Sequence, residues 1–306
     1  MAYRLIAYIF ILSLSHDAFS AACCGGGAGL PNIITGDYKT QIGFSYSNSA
    51  VIGTADGDQE VVERSGENRE VKEVVNFKMA HLLSDYWQVG LELPYLQNTH
   101  STIDSSESYA SAGDPIIQVT YEFLPELTYS KWKPRGFAFL SYSYSNTASI
   151  YESDSVLGTD ALGTGFDTIY IGTSFTKIRR QLDISIYFKQ GFRQRKKFSD
   201  ENSQVEVKPG TIQSAGIGLG YSPKQGQWRF GPIINSFYEG AKEINTSNNS
   251  QSSSSKSYVD FGLNATYHTG LASYGVSFVD QSFWGKGSNI NLSKTFSLSC
   301  TSFFEL

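Results

Sequence analysis

Along most of the chain, apolar residues recur at every second position. Ile42, Phe44 and Tyr46 alternate with Gln41, Gly43 and Ser45, and Val89, Leu91 and Leu93 alternate with Gln88, Gly90 and Glu92. Further on, Leu182, Ile184, Ile186 and Phe188 oppose Asp183, Ser185, Tyr187 and Lys189, while Val259, Phe261, Leu263 and Ala265 oppose Tyr258, Asp260, Gly262 and Asn264. A period of two is that of a strand whose two faces meet different surroundings. Segments 38–52, 71–83, 86–97, 114–124, 136–146, 166–176, 181–193, 211–221, 227–239, 257–267, 271–281 and 289–306 read this way. In the last, Phe296, Leu298, Cys300, Ser302, Phe304 and Leu306 share a mostly apolar parity, and Thr295, Ser297, Ser299, Thr301, Phe303 and Glu305 share the other, mostly hydroxyl or charged.

The connections alternate as well. Residues 53–70, 98–113, 147–165, 194–210 and 240–256 are long and polar, and the last includes the low-complexity run 245–256, which has no means of building a core. Between them lie the short turns 84–85, 177–180, 222–226 and 268–270, with 125–135 the longest on that side. Long loops at one end and short turns at the other predict an all-β fold: an antiparallel transmembrane β-barrel of about 12 strands, with the long loops extracellular and the short turns periplasmic. A soluble sandwich gives no reason for such alternation. Tyr86, Trp87, Phe123, Tyr221, Trp228 and Tyr267 fall at periplasmic strand ends and Tyr95, Tyr144 and Tyr238 at extracellular ones, where an aromatic girdle meets the membrane interface.

Composition narrows the choice. With 17% charged residues, 29 Gly and 8 Pro in 306 residues, no apolar run after the N-terminus approaches the length of a spanning helix, about 20 residues. A chain that crosses a membrane without helices must do so as a closed sheet, because every backbone group in lipid needs a partner. The net charge of −5 leaves no footprint for nucleic acid. Arg4, the apolar run 5–14 and the small residues Ala18, Ser20 and Ala22 form a signal peptide over 1–22, cut after Ser20 or Ala22; lipidation of Cys23 is the alternative. The glycine-rich stretch 23–36 is then a periplasmic or lumenal segment, and 37–306 the barrel. The expected location is the outer membrane of a Gram-negative bacterium, with the expected partners outer-membrane lipids, the barrel assembly machinery, a small-molecule solute and a further copy of the chain.

Inward parity places Lys39, Lys78, Glu92, Glu122, Asp183, Lys189, Arg229 and Asp260 along the lumen, where charges of both signs form a plug-like network or line a narrow polar path. Ser214, Gly216, Gly218 and Gly220 make an inward stripe nearly free of side chains, a seat for the glycine-rich segment or a relief of curvature. Cys23 or Cys24 can reach Cys300 for a disulfide, since the first and last strands of a barrel adjoin; otherwise Cys300 packs outward as a small apolar residue. Pro94 and Pro115 are nearly equidistant from the loop between them. Lacking N–H groups, they should weaken pairing between their strands and open a kink or lateral gap, or simply end the ladder there.

No metal spacing or cofactor motif is present, and the expectation is a protein with no cofactor and no enzymatic activity. Outer-membrane phospholipases have twelve strands, yet Asn98-Thr99-His100-Ser101-Thr102 lacks their Tyr and Asn-Gly and sits at a loop edge; His81 and His268 near the periplasmic interface read as solvated. The acidic Asp56, Asp58, Glu60 and Glu63 and the basic Arg193, Arg195, Lys196 and Lys197 read as a surface contact or as solvated loop ends.

The terminal strand resembles those of bacterial outer-membrane β-barrels, which the assembly machinery reads, although Leu306 stands where that class usually has Phe or Trp. The Leu93-Pro94-Tyr95 strand ending and the Gly113-Asp114-Pro115 strand opening resemble the family of outer-membrane transporters named for the meta-pathway of phenol degradation, itself similar to the long-chain fatty-acid transporters. The resemblance implies uptake of a small hydrophobic compound. A channel for passive uptake of small solutes is thus the expected function, with a barrel that anchors surface loops as the alternative.

Overall fold

The computed structural model describes residues 32–305 apart from 37, 127–129, 201–202, 224–225, 247–248 and 286. The signal at 1–22, Cys23, Cys24 and Leu306 therefore lie outside the described residues. Eighteen strands form: β1 (Thr40–Ala55), β2 (Val61–Glu63), β3 (Arg69–Leu82), β4 (Trp87–Ser101), β5 (Ser106–Ala112), β6 (Ile116–Leu124), β7 (Arg135–Ser143), β8 (Thr168–Arg179), β9 (Leu182–Arg193), β10 (Lys196–Asp200), β11 (Ser203–Lys208), β12 (Ile212–Tyr221), β13 (Trp228–Glu239), β14 (Glu243–Thr246), β15 (Asn249–Ser252), β16 (Lys256–Thr269), β17 (Ala272–Asp280) and β18 (Ile290–Phe304). The main sheet joins 14 of them; without the short partners β2 and β5, twelve remain, each antiparallel to its neighbours. β18 pairs with β1 from Thr40↔Phe304 to Ala55↔Ile290 and closes the ring. Each predicted segment falls on one of these twelve strands.

The barrel is inside-out relative to a soluble protein. On β6, Ile117, Val119, Tyr121 and Phe123 are exposed while Gln118, Thr120 and Glu122 are buried. β9, β12, β13 and β17 repeat the arrangement, with Ile186, Leu219, Phe230 and Phe278 outside and Ser185, Ser214, Arg229 and Ser277 within. Such a wall is stable only when lipid covers its outer face, and the protein is an outer-membrane β-barrel. Trp87 stacks at a tilt on Tyr121, and Trp228 on Tyr267, at the periplasmic strand ends, as a girdle requires. Leu298, exposed between Tyr46 and Val276 on the neighbouring strands, stands mid-strand on the lipid side. Leu298→Arg is expected to destabilise the barrel by about 2–4 kcal/mol, measured by denaturant unfolding in lipid vesicles.

The loops are more ordered than their composition suggests. Residues 194–210 and 240–256 build a second sheet, β10-β11-β14-β15, in the order in which the wall strands β9, β12, β13 and β16 stand below it. The serine- and asparagine-rich run expected to lack structure contributes β15 and part of β14. It needs no core of its own, because β14 pairs with β11, whose Val207 and Val205 pack with Phe198, Phe166, Tyr151 and Ile244.

Candidate functional site

The interior is built in layers from the periplasmic end. Residues 32–36 run inside the barrel as a strap against β3, β4, β6 and β7. The Gln88 side-chain amide, only 2% exposed, accepts from Ile34 N–H at 2.8 Å and donates to Ile34 C=O at 2.9 Å, so it satisfies the strap as a strand neighbour would. Gln118 Nε2 donates to Asn32 O at 3.1 Å, Asn32 Nδ2 to Met79 O at 2.7 Å and Gln41 Nε2 to Asn32 Oδ1 at 2.7 Å. Ile33 packs on the inward Phe137 and Phe139. Arg135 donates to Thr35 O and forks onto Glu122 at 2.8 and 2.7 Å, tying the periplasmic end of the strap to the wall. Tyr38 then stacks on Phe303 and donates to Gly270 O at 2.9 Å before β1 begins.

The opposite wall carries a second set of charges. Arg229 forks onto Asp183 at 2.8 and 2.6 Å and donates to Asn264 Oδ1 at 3.2 Å. Above it, Tyr187 donates to Asn235 Oδ1 at 3.2 Å, while Asn235 donates to Asp260 from its side chain at 2.8 Å and its backbone at 3.2 Å. Lys78 meets Glu92 at 3.5 Å, Asn76 donates to Glu92, and Lys189 lies 5.4 Å over the Tyr170 ring. Of the eight charged residues assigned to the lumen, seven thus hold partners on the inner wall. Lys39 is exposed where β1 starts, its backbone bonded to Phe304 and Leu82.

The glycine stripe on β12 is occupied, but not by the strap. The space a Cβ would fill at Gly216 holds the Tyr187 ring at 2.3 Å and Asn235 at 2.4 Å; at Gly220 it holds Asp183 at 2.1 Å and Arg229 at 2.4 Å. The same device recurs around the wall: Phe139 lies over Gly172 and Tyr170 over Gly191. Large inward side chains therefore lie flat on the next strand's glycine instead of pointing at the barrel axis. The strap sits across the lumen from the stripe because Gln88, Gln118 and Arg135 offer it bonds, and the glycines offer none.

At the prolines, the β4–β6 ladder stops at Glu92↔Ile116 and the β4–β5 ladder starts at Tyr95↔Ala112, a one-residue bulge bridged by Gly113 N–H to Pro94 O at 2.7 Å. The interruption between the two prolines is therefore short, and pairing resumes above it. On the other side of Pro115 the strands part, since β7 ends at Ser143 and β5 pairs with β4 alone. The seam is covered by residues 144–167, held where Asp114 Oδ1 accepts from Asn146 N at 2.9 Å, Thr147 N at 3.1 Å and Thr147 Oγ1 at 2.7 Å. A second break escaped the sequence reading: the β12–β13 ladder passes from Gly218↔Ile233 to Tyr221↔Phe230 around Pro232, and a Cβ on Gly231 would stand 1.7 Å from Leu219 O. The Gly231-Pro232 dipeptide inside an alternating segment was its signal.

Cys300 has no disulfide partner among the described residues, which do not include Cys23 or Cys24, and lies on lipid-facing parity opposite Phe44 and Tyr274. His100 is the last residue but one of β4, at the edge of the turn that follows, and is bonded to Asn68 at 2.9 Å and to Leu157 O at 3.3 Å. His268 is not solvated: both ring nitrogens are buried, with no partner among the described residues. The basic loop segment does not meet the acidic one. Arg193 pairs with Glu239 at 2.6 Å, Arg195 with Glu206 at 3.7 Å and Lys196 with Glu152 at 3.8 Å.

No family model matches the chain, and no curated protein matches it in sequence. In structure it is similar to the COG4313 outer membrane channel from Pseudomonas putida F1, with a TM-score of 0.69 and 11% identity over 89% of this chain and 100% of that one. The translocator domain of the autotransporter NalP from Neisseria meningitidis (TM-score 0.46, 9% identity, 99% of this chain and 94% of that one) and the CymD monoaromatic hydrocarbon channel (0.44, 11%, 88% and 89%) are more distant. At these identities the likeness is one of fold.

Proposed function

We propose that the protein is an outer-membrane channel for passive uptake of small solutes, hydrophobic ones among them, narrowed by the strap at 32–36. The observation that carries this reading is the flat packing of Phe139, Tyr170, Tyr187 and Arg229 over glycines of adjoining strands, which keeps bulk off the axis of a twelve-strand barrel. The resemblance of the Pro94 and Pro115 segments to the phenol-pathway transporters supports an apolar cargo. The place for lateral exit of such a cargo is the seam beside Pro115, where β5 and β7 separate, with residues 144–167 as its cover, rather than the stitched seam between the two prolines. Phenol uptake into proteoliposomes tests both parts. Uptake above that of protein-free vesicles is expected, and Pro94→Val with Pro115→Val should lower it several-fold by straightening the β5–β6 bend; unchanged uptake in the double variant sinks the lateral route.

A surface-anchoring barrel is the second reading, favoured by the folded extracellular sheet β10-β11-β14-β15. Removing that sheet separates the two, because a channel keeps its flux and an anchor loses its only activity.

A further inference from the structure

At the extracellular end of β9, Arg193 has a side chain with 0% exposure. Its Nη2 donates to Glu239 Oε1 at 2.6 Å and to Gly210 O at 2.9 Å. Nε and Nη1 are buried and have no acceptor among the described residues. Donors left unmade in a dry site cost about 1–3 kcal/mol each, and more when charged. The charges around it do not balance either. Glu239 is shared with Lys242 at 3.1 Å and lies opposite Lys256 in the β13–β16 ladder, so three cations face one carboxylate. Lys196 has its own partner in Glu152, and Asp114 is engaged by Asn146 and Thr147. Lys242 is held below its ordinary value first by burial, with Lys256 and Arg193 adding to the effect and Glu239 opposing it.

The walls are aromatic. The guanidinium lies 5.7 Å over the Phe166 ring, Tyr170 occupies the space over Gly191 two residues before Arg193, and Tyr151 feels both Glu239 and Arg193. Phe198 and Val207 of the second sheet close over Phe166. That sheet joins the wall at Gly210 and Gly240, whose backbones approach so closely that a Cβ on Gly210 would stand 2.4 Å from Gly240.

We infer that Arg193, framed by Phe166, Tyr151 and Tyr170 beneath the second sheet, is a binding site for the carboxylate of a small aromatic acid entering from outside. The inference rests on the channel reading for its purpose, but binding is measured without transport. A carboxylate supplies the missing negative charge and the acceptors that Nε and Nη1 lack, and the rings take the flat apolar body.

Calorimetric titration of the full mature chain in detergent with benzoate, and with the isosteric neutral benzamide, tests it. Benzoate is expected to bind and benzamide to bind at least about tenfold more weakly, the loss of one charge-assisted pair. Arg193→Gln should weaken benzoate by a similar factor, with folding verified by heat-modifiable gel mobility. Should that variant not assemble, Glu239→Gln gives the opposite sign, since removing the competing carboxylate frees Nη2 and raises benzoate affinity. No benzoate binding, equal binding of benzamide, or an affinity that Glu239→Gln leaves unchanged overturns the site. Benzoate bound without any flux into proteoliposomes would preserve the site and defeat the channel.

Discussion

Arg229→Leu should be among the most damaging single changes in the barrel, costing about 3–5 kcal/mol of stability, because it strands Asp183 as a buried, unpaired carboxylate. Both partners are nearly inaccessible, and the guanidinium also holds Asn264. The pair fills the space above Gly220, so the variant leaves a gap on the wall as well as a charge. Replacing both residues by Leu should recover most of the loss, since an apolar pair of similar volume asks for no hydrogen bonds. Denaturant unfolding of the single and double variants measures the difference. A single variant as stable as the parent would mean that water reaches Asp183 freely and that the lumen there is wider than the packing implies.

Gln88→Leu should change the conductance rather than the fold. The Gln88 amide meets both backbone groups of Ile34, and Leu leaves that N–H and C=O without these partners at a cost of about 1–3 kcal/mol each. The remaining ties, Gln118 to Asn32 and Arg135 to Thr35, hold the strap at its two ends. A strap anchored at its ends and loose at its middle should flicker between seated and displaced positions. Single-channel records of the variant are expected to switch between the parent's level and a larger one, where the parent stays at one level.

The barrel was legible because its signal is local: two faces with unlike surroundings write a period of two into each strand, and lipid on one side makes it strong. Alternation in loop length supplied the topology. What the sequence hid depends on register. Glycines at 216, 218 and 220 announce missing side chains, but only the pairing of β12 with β9 and β13 shows that Tyr187, Asp183 and Arg229 lie across them. Parity alone named the charged residues but not what each of them meets: only the register sets Lys78 opposite Glu92 and Asn235 opposite Asp260, and lets Arg135 reach Glu122 diagonally. The second sheet was missed for a related reason: Ser, Asn and Thr carry no alternation, and β14 is held by a ladder to β11 whose apolar face belongs to a different loop. Arg193 looked like one of four basic loop residues, and nothing in that run marks it as the buried one.

Conductance of the purified mature protein in a planar bilayer, with and without residues 23–36, tests the central claim most directly. The account predicts discrete channels in both forms, with the larger unit conductance after removal of the segment that includes the strap. Absence of channels in both forms would contradict it, and would mean that the charged walls and the strap's own seat already fill the lumen.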